Sequence, residues 1–454
     1  MPWVTDDNAA LLTDLYQLTM LQAYWREELF APAVFSLFAR RLPEPRNFLV
    51  ACGLEDALHY LERLRFHDDA LEWLRARREF EKGFVDWLAA LRFTGEVRAV
   101  AEGTVLFGDE PLIEIEAPLP EAQFVETFLM NQLHLQTVLA SKAARVVIAA
   151  RGRPVVDFGL RRMHGTDAGL KAVRAFHVAG VAATSNVLAG AVYHLPLSGT
   201  MAHSYIEAHD RELDAFRAFS RLYPETVLLV DTYDTLDGVR RVVRLAEELG
   251  TDFRVRAVRL DSGDLSELAF ATRRLLDDAG LRRVQIFASG GLDEYEIDAI
   301  LSRGAPIDAF GVGTRMGTSS DAPTLDIAYK MVSYAGTPRL KLSTGKPTLP
   351  GAKQVFREVT DGRFVRDTIA RADEDLPGEA LLQPVMRAGS RLAAGSVSLE
   401  DARIHAAAQI AALADQLRSL TRADPPYPVR VSDGLEALRR ACTRALRVRA
   451  PDSR

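Results

Sequence analysis

Residues 255–264 read Val-Arg-Ala-Val-Arg-Leu-Asp-Ser-Gly-Asp, an apolar run that stops on a polar, acidic loop, and a helical pattern then continues to Gly280. The same phrase recurs on either side. Val227-Leu228-Leu229-Val230 meets Asp231 and then a helical pattern of Val239, Val242, Val243, Leu245 and Leu249. Val284-Gln285-Ile286-Phe287 meets Ala288-Ser289-Gly290-Gly291 and a helix from Asp293 to Leu301. Asp308-Ala309-Phe310 meets Gly311-Val312-Gly313-Thr314, and upstream Val155-Val156-Asp157-Phe158 ends in a loop of Gly159, Arg161 and Arg162. Apolar runs alternating with helices of about ten to fifteen residues predict a parallel sheet with βα crossovers. Polar clusters follow nearly every strand, so an irregular parallel β/α barrel is expected ahead of an open doubly wound sheet.

Away from this region the texture changes. Leu11, Leu12, Leu15, Leu18 and Leu21 recur at helical spacing, as do Leu54, Leu58, Leu61 and Leu64,. Between Thr94 and Pro118, apolar residues set among Gly95, Gly103, Gly108 and Pro111 suggest short strands and turns,. Phe124 to Val147 reads as helix again. The tail from Arg357 reads as mostly helical, with one helix from about Asp401 to Leu420 presenting Ile404, Ile410, Leu413, Leu417 and Leu420 on one face,. The expected division is an N-terminal α+β domain over 1–145, a barrel carrying the active site over 146–349, and a mostly helical tail over 350–454 packing on the first domain.

Composition excludes several classes. Against 62 Asp+Glu stand 56 Lys+Arg, a formal charge of −6, and no long basic run advertises a nucleic-acid surface,. Hydrophobic residues at 48% support a sizeable core,. Cys52 and Cys442 offer neither a disulfide framework nor zinc-ligand spacing, which favours a reducing compartment,. The start, Met1 to Asp7, lacks the pattern of a secretory signal, and no apolar stretch approaches the ~20 residues of a membrane span. A soluble, cytoplasmic protein is expected.

In a parallel β/α barrel, catalytic groups sit where strands end. Those positions hold Phe158-Gly159-Leu160-Arg161-Arg162, Ser198 to Ser204, Asp231, Asp261 to Asp264, Ser289-Gly290-Gly291 and Gly311 to Thr314. The last two read as phosphate loops, since glycines admit an anion close to backbone N–H groups and Ser or Thr adds a hydroxyl. A tight turn is the alternative for either alone. Asp261 and Asp264 could hold Mg²⁺ with substrate oxygens, or bind sugar hydroxyls, or cap the next helix. No specific metal ligand is assigned. His203 lies in a Gly, Ser and Thr loop rather than on an apolar face, which suits an acid, base or phosphoryl acceptor. His164 and His177 fall on a helical stretch and read as structural. Residues 227–238 imitate the phosphoribosyl-pyrophosphate loop of purine and pyrimidine salvage transferases, but that loop wants two adjacent acids and Thr232 follows Asp231 here. Arg161, Arg162 and Arg259 supply cations at the same rim. On spacing alone, Tyr16 reads as one more core aromatic.

Taken in order, Thr13 to Met20, Phe158 to Leu170, Thr184 to Gly190, Gly199 to Ser204, Arg259 to Asp264 and Gly311 to Thr314 resemble the nicotinate phosphoribosyltransferase family. Lys346 to Val355 fits its bacterial members, and the resemblance covers roughly residues 10 to 357. It implies a type II phosphoribosyltransferase fold with an added domain built from the N-terminal segment and the tail. It also implies transfer of a phosphoribosyl group from phosphoribosyl pyrophosphate to nicotinate, coupled to ATP hydrolysis through a phosphorylated His203, with Mg²⁺ and with Asp261 as a second catalytic group. By the same matching, Tyr16, Thr200 and Arg259 would hold nicotinate, and Gly311, Gly313 and Thr314, helped by Ser289 to Gly291, the 5-phosphate. Phe158, Arg161 and Asp264 complete the expected substrate contacts. The family further implies a homodimer in which Tyr16 serves the neighbouring subunit. Nicotinamide-using relatives tend to carry an acid where Ser185 falls. A barrel that binds a phosphorylated metabolite without turning it over is the alternative from another class.

Overall fold

The computed structural model describes residues 4–342 and 348–449. Met1 to Trp3 of the amino-terminal reading, and Lys346 and Pro347 of the tail segment, lie outside the described residues. Two compact units are present, Met1–Val138 with Thr324–Arg454, and Leu139–Pro323.

The first unit is built on a seven-stranded sheet centred on Pro32–Ala39. Ala33 to Ala39 are all buried, because this strand is flanked on both edges, by Ile327–Tyr334 and by Pro111–Pro118, and covered on its faces. Helix Leu54–Arg63 shows why the leucine spacing reads as a helix. Leu54, Leu58 and Leu61 are buried, Glu55 and Asp56 occupy its first turn and Arg63 its last, matching the helix dipole,. Leu18 and Leu21 are buried in helix Leu15–Arg26, while Leu12 and Leu15 are exposed.

The tail corrects the expectation of a mostly helical segment. Lys353–Thr360 and Arg363–Arg371 form an antiparallel hairpin, joined by Asp361 and Gly362 at φ of 50° and 72°. A two-residue Asp-Gly loop with both residues at positive φ is the turn that matches strand twist. The dipeptide was the available signal, masked by charged residues alternating along both strands. Arg357 is fully buried in this hairpin, paired with Asp367 and with its guanidinium carbon 4.4 Å from the Phe364 ring centroid. The later helix is Leu399–Ala412, followed by a separate turn at Asp415–Arg418. Ile404 is therefore exposed, and Ala402, Ala406 and Gln409 form the buried face.

The second unit carries six parallel strands in the order Ala183–Thr184, Val155–Asp157, Ala309–Val312, Gln285–Ala288, Ala257–Leu260, Val227–Leu229. The sheet is curled, an incomplete barrel extended at one edge by a parallel bridge from Thr184 to Leu197. Its unit stops at Pro323, short of the expected 349, because Ile327–Tyr334 is taken up by the first unit's sheet. Val156, Ala257 and Phe287 pack together on the inner face with Phe158 beside them. Helices Thr235–Leu249, Leu265–Asp278 and Glu294–Ser302 each open on an aspartate, Asp234, Asp264 and Asp293, whose side chain accepts first-turn amides,. Lys142 and Arg145 converge on buried Glu294 and fix the start of the last of these helices, with Lys142 also 2.7 Å from Asp321. Of the two histidines expected on a helix, His177 lies buried in Thr166–Val178, whereas His164 is exposed in the loop before it. No helix among the described residues is long and apolar enough to cross a membrane.

Candidate active site

Because all six strands are parallel, the residues that follow them meet at one end of the sheet,. Alternation along Ala257–Leu260 turns Val258 and Leu260 toward the helices and leaves Ala257 and Arg259 on the inner face, with Arg259 opposite Phe287 and Leu229,. Arg259 is the hub. It donates through Nε to Ser289 Oγ at 2.8 Å, through Nη2 to Asp261 Oδ1 at 2.7 Å, and through Nη1 to Thr200 Oγ1 at 3.2 Å. Its guanidinium carbon stands 5.5 Å from the Phe158 ring centroid, and Phe158 tilts against Phe287 with centroids 5.8 Å apart.

Asp261 takes a second hydrogen bond from Ser289 Oγ. Burial alone would raise its carboxyl, but the bonds from Arg259 and Ser289 and the Arg259 charge hold it below the usual carboxylate range,. Its remaining oxygen, Oδ2, lies 3.8 Å from His203 Nε2. The other ring nitrogen of His203 is 3.2 Å from Thr232 Oγ1. Beyond the end of the neighbouring strand Val227–Leu229, Asp231 Oδ2 accepts from the Asp261 amide at 3.0 Å and from Ser262 Oγ at 2.6 Å. Asp231 Oδ1 is buried with no hydrogen-bond partner. His203, Asp261, Arg259, Thr200, Ser289 and Phe158 are thus one cluster. Asp231, one of the expected strand-end positions, joins this cluster through Asp261 and Ser262, and Thr232 joins it as a member that the sequence does not mark. The contact of Thr232 with His203 runs between separate segments and has no signature in local spacing.

Glycines set the close approaches. At Gly290, φ is 93° and a Cβ would stand 1.8 Å from the Asp261 carbonyl oxygen. At Gly311 a Cβ would meet the Phe158 and Phe287 rings at 2.6 and 2.8 Å, so this position lets Phe158 lie on the strand backbone,. Gly290 and Gly291 are exposed on the loop after one strand, and exposed Thr314 opens the short helix Thr314–Gly317 after the adjacent one, whereas Gly311 is buried within the strand Ala309–Val312.

Other expected residues lie differently. Asp264 Oδ1 accepts the Ser266 and Glu267 amides at 3.0 and 3.1 Å, and Oδ2 is 3.5 Å from Arg303 Nη1. It holds the helix start while Asp261 faces His203, so the two do not converge as a pair. Arg161 is exposed with no hydrogen bond or ion pair among the described residues. Behind it, buried Asp157 accepts from the Gly159 amide at 2.8 Å and Thr184 Oγ1 at 2.7 Å, its carboxyl pushed up by burial. Tyr16 belongs to the first unit. Its ring is half exposed, and its hydroxyl donates to Glu126 Oε2 at 3.1 Å and accepts from Gln17 Nε2 at 2.9 Å. Burial and the Glu126 charge push the phenol up to about 12, so it stays a neutral ring near neutral pH. Among the described residues no group of three or more His, Cys, Asp or Glu forms a ready-made metal cage.

Comparison with known proteins gives a consistent result. The family model of the nicotinate phosphoribosyltransferase N-terminal domain matches residues 11–134, and that of the nicotinate phosphoribosyltransferase family matches residues 154–370. The nicotinate phosphoribosyltransferase pncB2 of Mycobacterium tuberculosis is 55% identical over 424 residues, covering 93% of this chain and 92% of its own. That of Bacillus subtilis is 39% identical over 388 residues, covering 83% and 79%. The crystal structure of human nicotinic acid phosphoribosyltransferase superposes with a TM-score of 0.83 at 28% identity, covering 94% of this chain and 99% of that one.

Proposed function

The chain belongs to the nicotinate phosphoribosyltransferase family, and from that premise we propose that it transfers the 5-phosphoribosyl group of phosphoribosyl pyrophosphate to nicotinate, in pyridine nucleotide salvage. The observation that carries this reading is the convergence of Arg259, Asp261, Ser289 and His203 at the carboxyl ends of parallel strands. An arginine edge that already meets a threonine hydroxyl suits a small planar carboxylate, and holding that carboxylate orients the ring nitrogen for attack. The nitrogen lone pair forms the bond to C1 of the ribose, the C1–O bond breaks, and its electron pair leaves on pyrophosphate. Thr200 and Arg259 are assigned to nicotinate, the Ser289–Gly291 and Gly311–Thr314 loops to the 5-phosphate, and exposed Arg161 to an anionic end of the substrates.

The residues present fit Mg²⁺. This ion takes one or two carboxylates with phosphate oxygens and water, so a full protein cage is not required. Asp231, whose buried Oδ1 lacks a partner, and Asp261 would hold it, and when bound it supplies charge neutralisation to the departing pyrophosphate,. ATP coupling belongs to the same reading, with His203 accepting the γ-phosphoryl group as a P–O bond breaks and ADP leaves. So do a cytoplasmic setting and a homodimer in which the half-exposed Tyr16 ring stacks on the neighbour's nicotinate. Ser185, exposed beside Thr184 and carrying no charge, supports an acid substrate over an amide.

Incubating the protein with nicotinate, phosphoribosyl pyrophosphate, ATP and Mg²⁺ is expected to yield nicotinate mononucleotide and pyrophosphate. A parallel reaction with nicotinamide is expected to yield little. Product from nicotinamide alone would transfer the reading to the amide, and product from neither would leave a metabolite-binding barrel.

A further inference from the structure

The two loops assigned above to the 5-phosphate follow neighbouring strands that are in register, with Phe287 opposite Ala309 and Ala288 opposite Phe310. Glycines offer no side chains with which a loop could hold its own shape, and Gly290 and Gly291 both sit at positive φ,. The residue that anchors the first loop is Asp293. Its Oδ1 accepts the Tyr295 and Glu296 amides, both at 3.0 Å, and opens helix Glu294–Ser302. Its Oδ2 reaches out of its own loop. Arg315, in the short helix Thr314–Gly317 that the second loop leads into, donates Nη1 to that oxygen at 2.6 Å. The Asp293 side chain is only 11% exposed, so the pair is partly shielded from water, and a looser acidic neighbour, Glu296, lies 3.9 Å from the same nitrogen.

We propose that the Asp293–Arg315 pair is a brace between the two glycine loops, which makes Arg315 a positioning residue for the phosphoribosyl substrate rather than one of its ligands. The inference rests on the reading of these loops as the phosphate site. The carboxylate that neutralises Arg315 is the same one that fixes the end of the first loop, so the pair sets the spacing of the two sets of backbone N–H groups. Arg259 and Thr200, assigned to nicotinate, lie on other segments. Arg259 meets the first loop only at Ser289, at the opposite end from Asp293, so loss of the brace should appear mainly in the phosphoribosyl substrate.

Asp293→Asn removes the charge but keeps a good helix cap, since Asn caps about as well as Asp. Arg315→Gln removes the partner. In the full-length enzyme, each single variant is expected to raise both the KM and the calorimetric Kd for phosphoribosyl pyrophosphate about five- to tenfold, with the double variant no worse than the worse single. Arg315→Lys should recover part of the loss, and kcat, Tm and the KM for nicotinate should stay close to wild type. If Arg315→Gln weakens binding while Asp293→Asn does not, Arg315 is a direct ligand and the brace is refuted. Unchanged binding in both singles, or losses that add in the double, refutes it as well. Wild-type protein that fails to bind phosphoribosyl pyrophosphate would instead sink the reading on which the brace rests.

Discussion

Arg259 Nη2 and Asp261 Oδ1 lie 2.7 Å apart, two residues from each other in the chain. Strand alternation puts both on the inner side, with Leu260 turned outward and buried between them,. The cation expected to grip an anionic substrate is therefore already balanced on one edge by a carboxylate. Ser289 ties the two together by hydrogen bonding to both. The Nη1 edge, which meets Thr200 Oγ1 and the Met201 carbonyl at 3.2 and 3.4 Å, is the one with the weaker contacts. A ligand carboxylate is expected to replace these.

Arg259→Lys tests that geometry. A lysine keeps the charge but not the fork, so it cannot serve Ser289, Asp261 and an incoming carboxylate together. Losing one charge-assisted hydrogen bond of about 1.5–3 kcal/mol should raise the KM for nicotinate at least about tenfold. Steady-state kinetics at saturating phosphoribosyl pyrophosphate provide the check, and a KM within twofold of wild type would remove Arg259 from the nicotinate contacts.

His203→Ala separates transfer from coupling. The imidazole faces Asp261 and Thr232 without touching Arg259's hydrogen-bonding edge, so the variant should retain some transfer activity. It should lose the stoichiometric link to ATP. The ratio of ATP hydrolysed to nicotinate mononucleotide formed reads this out, and an unchanged ratio in the variant would defeat the assignment.

Gly290→Ala and Gly291→Ala form a matched pair. Both glycines are at positive φ, so each alanine incurs about 1–2 kcal/mol of backbone strain,. Only at Gly290 would the new Cβ collide with a backbone atom, the Asp261 carbonyl, while Gly291 has open space within 4 Å. Gly290→Ala should therefore weaken phosphoribosyl pyrophosphate binding by at least about tenfold more than Gly291→Ala, as measured by calorimetry. Equal effects would mean that the close packing against Asp261 is irrelevant to the substrate.

Glu110→Gln probes a buried charge cluster in the first unit. Burial, then the charge and hydrogen bond of Asp367, push the Glu110 carboxyl well above its usual range, despite Arg357 nearby. The folded state thus keeps a proton that the unfolded chain releases near pH 4.3. Its contribution to stability is complete below that value and is lost as pH rises toward the raised folded value. Glutamine can donate to Asp367 at every pH. Thermal melts should show Glu110→Gln gaining on wild type as pH rises above the ordinary carboxylate range, and parallel curves would indicate that Glu110 does not hold the proton.

The strand–loop–helix phrase around residues 255–264 was legible because its signals are local, an apolar run broken by a polar cluster and a helical repeat. The motif order from Tyr16 to Thr314 is likewise a property of the sequence and carries the family resemblance by itself. Asp361-Gly362 carried the tail hairpin's turn, but Arg357, Arg366 and Asp367 disguised the strands, since a buried ion pair reads in sequence as a solvated surface. Ile404 erred in the opposite sense. The helix ends at Ala412 and presents its alanines inward, so Ile404 faces outward, while Leu413 and Leu417 beyond the break are buried as their spacing suggests.

Residue chemistry and local period by themselves determined the parallel β/α class, the family, and the short roll of groups able to grip an anion or accept a phosphoryl group. Tertiary structure alone decided which of them act together. Asp261 and Asp264 are indistinguishable in the motif, yet backbone amides of the following helix claim Asp264, while strand alternation and register deliver Asp261 to Arg259, Ser289 and His203. Thr232, which seemed to spoil a phosphate loop, becomes the neighbour of His203 for the same reason. A side chain's chemistry belongs to its own residue, but its partners are set by strand order and register, which depend on the packing of the whole unit.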